Sequence, residues 1–142
     1  MIITLKVTLV RGLHSNGDWA ANIELDESSS LESLHGAIQR AVKFDNDHLY
    51  CFFLSRTERS RSREFFDDEN GLLFSKTVKD MFPLPAKQSL FYLFDWGDEW
   101  VFKISPTRKR LKEPDTGVRY PRIDSEMGTK PSQYPPYDED DQ

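Results

Sequence analysis

The run Leu49-Tyr50-Cys51-Phe52-Phe53-Leu54 constrains the fold most tightly. It is too short for a core helix and dense in aromatic side chains, which suit a pleated surface. Residues 48–55 therefore read as a central strand. A second run, Ser89 to Asp95, has the same character. It is separated from the strand-like Glu99–Ser105 by Asp95-Trp96-Gly97-Asp98, a hairpin-type turn with a glycine placed for a positive φ.

The N-terminal segment, Met1 to Arg11, alternates with period two. Ile3, Leu5, Val7 and Leu9 point one way, and Thr4, Lys6 and Thr8 the other. Gly12 to Asp18 reads as a loop, leading into a second strand over Trp19–Leu25. Ser29 followed by Glu32 fits a capping box. Leu31, Leu34, Ile38, Ala41 and Val42 then form a helical stripe ending near Lys43 or Phe44. Asp45-Asn46-Asp47 stops it. Residues 56–71 are highly charged and read as an irregular excursion with a brief strand at Glu64–Phe66. Lys76–Phe82 reads as a short helix ended by Pro83 and Pro85. The order ββαβ, short helix, ββ predicts an α+β fold, β-grasp-like or similar. Its mixed or antiparallel sheet is packed by one main helix and a short second one.

Charge divides the chain. Residues 1–112 hold sixteen basic and sixteen acidic residues, whereas residues 113–142 hold three and eight, so the whole net charge of −5 lies in the last segment. That segment also carries five of the eight prolines and no apolar periodicity. The expected organisation is an α+β domain over 1–112 and an extended, Pro-rich acidic tail over 113–142, packed in part on the domain. Tyr120, Ile123, Met127, Tyr134 and Tyr137 would anchor it, with Asp138 to Asp141 solvated. At 142 residues there is length for one core. Cys51 is the single cysteine, so no internal disulfide forms, and its apolar neighbours mark it as a buried small hydrophobe. The alternation at the N-terminus does not make a signal peptide, and no run reaches eighteen apolar residues. A cytoplasmic protein without a membrane span is expected.

Few residues offer chemistry. Asp95 and Asp98 are a carboxylate pair suited to a cation or to acid–base work, but Asp in a turn accepts backbone N–H bonds routinely, and that reading is favoured. Trp96 and Trp100 offer a stacking surface or core anchors. His14, His35 and His48 show no HxH, HExxH or CxxC spacing, so no metal or other cofactor is expected. Arg56, Arg59, Arg61 and Arg63 form one basic cluster, and Lys103, Arg108, Lys109, Arg110 and Lys112 another. Such clusters can neutralise phosphates, yet Glu58, Glu64, Asp67, Asp68 and Glu69 are interleaved with the first or lie close to it. A solvated face explains the pattern better than nucleic-acid binding. In an intramolecular alternative, acidic residues 138–142 fold onto one cluster and mask it.

Leu90-Phe91-Tyr92-Leu93-Phe94-Asp95-Trp96-Gly97-Asp98-Glu99-Trp100 resembles the tyrosine–aspartate–aromatic–glycine–aspartate–x–tryptophan signature of the Ri-plasmid open-reading-frame-three-like family, also labelled as passenger TnpR-like proteins of insertion elements. His48-Leu49-Tyr50-x-Phe52 and Tyr120-Pro121-Arg122, before the Gly/Pro-rich 128–136, are similar too. The resemblance spans most of the chain. It implies an α+β fold and association with mobile elements, and it implies no activity. Relatives with a His two residues after the motif Trp and cysteines in the tail have Phe102, Ile123 and Lys130 as counterparts here, which removes any His/Cys metal site. The TnpR label suggests a resolvase, but no nucleophilic Ser beside an arginine cluster is visible.

Together these features suggest a non-catalytic binding or interaction module. Its surface would comprise Tyr92, Asp95, Trp96, Asp98, Trp100, His48 and the tail; the sequence identifies no partner, a protein being one class that fits and nucleic acid not being favoured. The competing class is a nucleic-acid-associated protein using the two basic clusters. A small hydrolase or metal-dependent enzyme comes third.

Overall fold

The computed structural model describes residues 1–12 and 18–134. Ten elements follow one another: β1 (Ile2–Arg11), β2 (Trp19–Asp26), α1 (Leu31–Val42), β3 (Tyr50–Ser55), β4 (Glu64–Phe66), α2 (Leu72–Ser75), α3 (Val78–Met81), β5 (Ser89–Phe94), β6 (Trp100–Pro106) and β7 (Arg122–Gly128). The strands form one seven-stranded sheet in the order β4-β3-β5-β6-β1-β2-β7. Every adjacent pair is antiparallel, so the α+β class holds in its antiparallel form.

The period-two pattern decides which side chains meet the helix. Leu5 and Val7 of β1, Ile23 and Leu25 of β2, Phe52 of β3, Tyr92 and Phe94 of β5 and Phe102 of β6 all point to the α1 side. There they meet Leu31, Leu34, Ile38 and Val42 in one buried core. Large side chains buried in this way contribute about 1.5–3 kcal/mol each before entropy is counted. The two aromatic-rich strands are buried on both faces. Cys51, Phe53, Phe91, Leu93 and Val101 form a second cluster on the opposite side of the sheet. The charged excursion helps cover it. Arg63 places its guanidinium 4.8 Å from the Phe53 ring centroid and donates to the carbonyls of Ser60 and Glu58, while the Phe65 ring lies 5.8 Å from that of Phe53.

Helix α1 starts one residue later than the sequence suggested. Ser30, not Ser29, is the cap, with its hydroxyl accepting from the Ser33 amide at 3.1 Å. The Ser29 carbonyl accepts instead from the Val78 amide, and Leu31 donates to the Lys76 carbonyl. The segment before α3 thus binds the start of α1, and Leu31 becomes the first residue of the buried stripe. Glu32 then falls one position short of closing a capping box. The reciprocal box is found at α3, between Thr77 and Asp80. Helix α2, a single turn, has no periodic signal in the sequence because one turn is too short to show any.

Pairing with β2 is what makes residues 122–128 a strand despite their lack of apolar alternation. Glu24, buried on β2, draws in Arg122 at 2.5 Å and Lys112 at 3.0 Å. Trp19 Nε1 donates to Glu126 at 2.7 Å. Gly128 ends the strand at φ 78°, where a Cβ would lie 2.0 Å from the Asp18 carbonyl oxygen. Gly128→Ala is therefore expected to lower stability by roughly 2–3 kcal/mol in urea unfolding, through both backbone strain and the clash.

Candidate functional site

The β5–β6 turn is organised by Asp95, which sits in the left-handed region at φ 66° and is buried. Its amide donates to the Leu49 carbonyl at 3.0 Å, tying the turn to the entry of β3. Its Oδ1 accepts from the Gly97 and Asp98 amides at 3.0 and 3.3 Å. Its Oδ2 lies 3.4 Å from His48 Nε2. The carboxylate thus builds the turn, as Asp does when its side chain mimics a backbone acceptor.

The same Nε2 of His48 lies 2.7 Å from the Tyr134 hydroxyl, which donates to Asp47 Oδ2 at 2.7 Å. Beside it Gln133, only 6 % exposed, accepts from the Asp45 amide and donates to Asp47 Oδ1. The tail is thereby fastened to the α1–β3 connection. The Tyr134 hydrogen bond holds the Asp47 carboxyl below its usual range, and Asp47 in turn pushes the Tyr134 phenol up to about 12.

Of the residues singled out in the sequence, Trp96, His48 and Asp98 reach solvent at this end of the sheet. Tyr92 and Trp100 are in the core. The Trp100 indole packs 4.9 Å from the Phe44 ring, and its face touches Gly12 so closely that a Cβ there would lie 2.2 Å away. What the sequence did not single out is Leu49. Although it belongs to the apolar run, it lies just before β3 pairs with β5 and is 75 % exposed, beside Trp96 at 52 % and Tyr134 at 50 %. Its neighbours in sequence gave no signal for that exposure.

The Tyr92 hydroxyl centres a buried polar network. Gln39 Nε2 donates to it at 2.8 Å, and it donates to His35 Nδ1 at 2.6 Å. His35 Nε2–H then donates to Asn46 Oδ1 at 2.6 Å, and the Asn46 amide donates to Gln39 Oε1 at 3.0 Å. This pattern requires neutral His35, with its Nδ1 free to accept. Burial pushes the imidazole down to about 4, against the lifting effect of Asn46. The ring stacks on Tyr50 at 3.5 Å.

The basic clusters are dispersed. Arg63 is engaged with backbone carbonyls and Phe53, and Arg59 lies 3.8 Å from Glu58. Arg59 also lines a cavity of about 220 Å³ with Arg11, Asp98 and Glu99, so this one residue of the first cluster shares a surface with the turn. Lys109 pairs with Asp124 at 2.7 Å, and Lys112 with Glu24 and Asp115. Arg56, Arg61, Lys103, Arg108 and Arg110 are exposed. Among the described residues no group of three or more His, Cys, Asp or Glu is arranged to hold a metal ion. His14 and the acidic run Asp138–Asp141 lie outside the described residues. Cys51 is buried, which pushes its thiol up to about 12 and out of the reactive range. No described helix is long and apolar enough to cross a membrane.

Comparison with known proteins places this architecture. The family model described as plasmid pRiA4b ORF-3-like protein matches residues 2–133, and the chain belongs to that family. No curated protein matches. Among solved structures, a protein of unknown function from Methanosarcina mazei is similar, with a TM-score of 0.64 and 21 % identity over 88 % of this chain and 68 % of that one. At that identity the likeness concerns the fold.

The His35 network makes a signed prediction. Below about 6.5 an unfolded chain protonates this histidine, while the folded chain resists until about 4. The contribution to stability is therefore complete above pH 6.5 and is lost as pH falls towards 4. Urea midpoints should decline across that window, before the carboxylates titrate. An NMR titration of the His35 ring should place its midpoint near 4; a midpoint near 6.5 would show that the network does not hold.

Proposed function

We propose, taking that family membership as the premise, that the chain is a non-catalytic interaction module. Its contact surface is the end of the sheet carrying Leu49, Trp96 and Tyr134, with His48, Asp98 and the buried Asp95 beneath them. The observation that carries this reading is the exposure of three large side chains on a backbone fixed by Asp95 and Asp47. Apolar and aromatic side chains clustered in the open are characteristic of contact surfaces, and Tyr and Trp are enriched where binding energy concentrates. Tyr92 and Trp100 contribute from within by supporting the strands that flank the turn.

Asp95 does not favour an enzyme reading, because its carboxylate is engaged by two backbone amides and faces His48. The partner class is a protein, and the family description suggests a plasmid-borne setting. The nucleic-acid alternative draws on Arg56, Arg61, Lys103, Arg108 and Arg110. These are charged and exposed, while Lys109 and Lys112 of the same run are already paired.

A photo-crosslinking residue introduced at Leu49, compared with one at Arg108, discriminates the readings in source cells. The module reading expects a discrete protein adduct from position 49 that disappears on Trp96→Ala, with no nucleic acid attached at either position. Nucleic-acid adducts from position 108, together with salt-sensitive anisotropy of labelled DNA, would replace it with the alternative.

A further inference from the structure

The two ends of the sheet carry opposite chemistry. At the end with the β5–β6 turn, Asp47 and Asp95 share a single partner able to carry positive charge, His48, at 3.7 and 3.4 Å. Asp45 is exposed there and makes no ion pair among the described residues. The arginines that line the cavity beside the turn are already matched, Arg11 with Glu99 at 2.6 Å and Arg59 with Glu58 at 3.8 Å. Strand β6 then carries the chain from Trp100 to Pro106, about 20 Å along the sheet, to the start of β1. Thr107 bonds there to the Thr4 carbonyl, and Lys112 exchanges both backbone bonds with Ile2. Residues 108–111 are thereby a short loop pinned at both ends. Lys109 and Lys112 turn back onto Asp124, Glu24 and Asp115. Arg108, Arg110 and Leu111 are exposed, and the two arginines make no ion pair among the described residues.

We infer that the partner of the Leu49, Trp96 and Tyr134 surface is a second copy of this chain, whose 108–111 loop docks there; the inference rests on the module reading above. Each component of one end has its counterpart at the other. A guanidinium meets a carboxylate through paired N–H bonds, which suits Arg108 and Arg110 to Asp45 and Asp47. Guanidinium groups also stack on aromatic faces, here Trp96 and Tyr134. Leu111, 44 % exposed, offers an apolar contact to Leu49, 75 % exposed. Both backbones are already fixed, the turn by Asp95 and the loop by Thr4 and Ile2, so docking orders little that is not ordered beforehand. The two surfaces stand at opposite ends of one sheet and cannot meet within a molecule. Contact between copies is therefore head-to-tail. Every pair keeps one free turn and one free loop, and further copies add to it. A contact this small and this charged is reversible and sensitive to salt.

Sedimentation velocity on the full chain tests this. At low salt the weight-average mass should rise with concentration past that of a dimer. It should return towards the monomer in about 1 M salt, where charges are screened beyond roughly 3 Å. Trp96→Ala with Asp45→Asn, and separately Arg108→Glu with Arg110→Glu, alter exposed residues only. Each double variant should weaken association by about tenfold or more. Mixed in equal amounts, the two variants bring one intact loop to one intact turn, so they should form a heterodimer and nothing larger. A wild-type chain that stays monomeric at every concentration would overturn the inference, as would association that persists in either variant alone or a mixture no heavier than its parts. The crosslinker at position 49 separates this outcome from the module reading. An adduct with the mass of two chains is expected. An adduct to a different protein alone removes the second copy and leaves the module, whereas no protein adduct at all removes both.

Discussion

The Asp95 carboxylate holds together the part of the molecule on which the functional reading rests. In one residue the chain leaves β5 in a left-handed conformation, binds the start of β3 through its amide, and closes the turn into β6 through its side chain. A non-glycine residue at positive φ is costly unless its surroundings fix it, and Asp and Asn bear that cost best. Here the return is a turn whose next residue, Trp96, projects into solvent while the residue that closes it, Trp100, is driven into the core. The same short motif therefore yields one presented aromatic and one structural aromatic. His48 and Tyr134 extend the construction to the α1–β3 connection, so three stretches distant in sequence meet at one end of the sheet.

The buried polar network is the counterpart on the helix side. A tyrosine hydroxyl deep in an apolar core is tolerable only with partners, and Tyr92 has two, both from α1. Those bonds fix the position of α1 along β5, while Asn46 carries the constraint into the loop that bears Asp47 and His48. The packing of the helix and the geometry of the exposed end are thus joined through four polar side chains.

Most of the sheet was legible because its pattern is local. Alternation in Ile2–Arg11 and the aromatic runs around Phe52 and Phe91 report burial directly, and even the three-residue β4 was expected at its observed place. What escaped was set by distant contacts. The start of α1 shifted because Lys76 and Val78 bond to its first residues, and β7 exists because β2 offers an edge and Glu24 a charge partner. The site was half legible for the same reason. The Asp95–Trp100 motif could be seen as a turn, but alternation alone could not tell which tryptophan faces out. Leu49 is hidden inside an apolar run and becomes exposed only because the β3 ladder starts one residue later. Tyr134 was visible as an aromatic in a polar tail, but its partner Asp47, far away in the chain, was not.

The most direct test of the central claim compares Asp95→Asn with Asp95→Ala in equilibrium unfolding. The amide oxygen of Asn can still accept from Gly97 and Asp98, and Asn tolerates the left-handed conformation, so most of the stability should remain. Ala loses both acceptors and is strained at φ 66°, which should cost about 2–3 kcal/mol. If both substitutions leave the protein equally stable, or make it more stable, the carboxylate is not what builds the turn. A strained acid kept at the expense of stability would then point back to chemistry at this site.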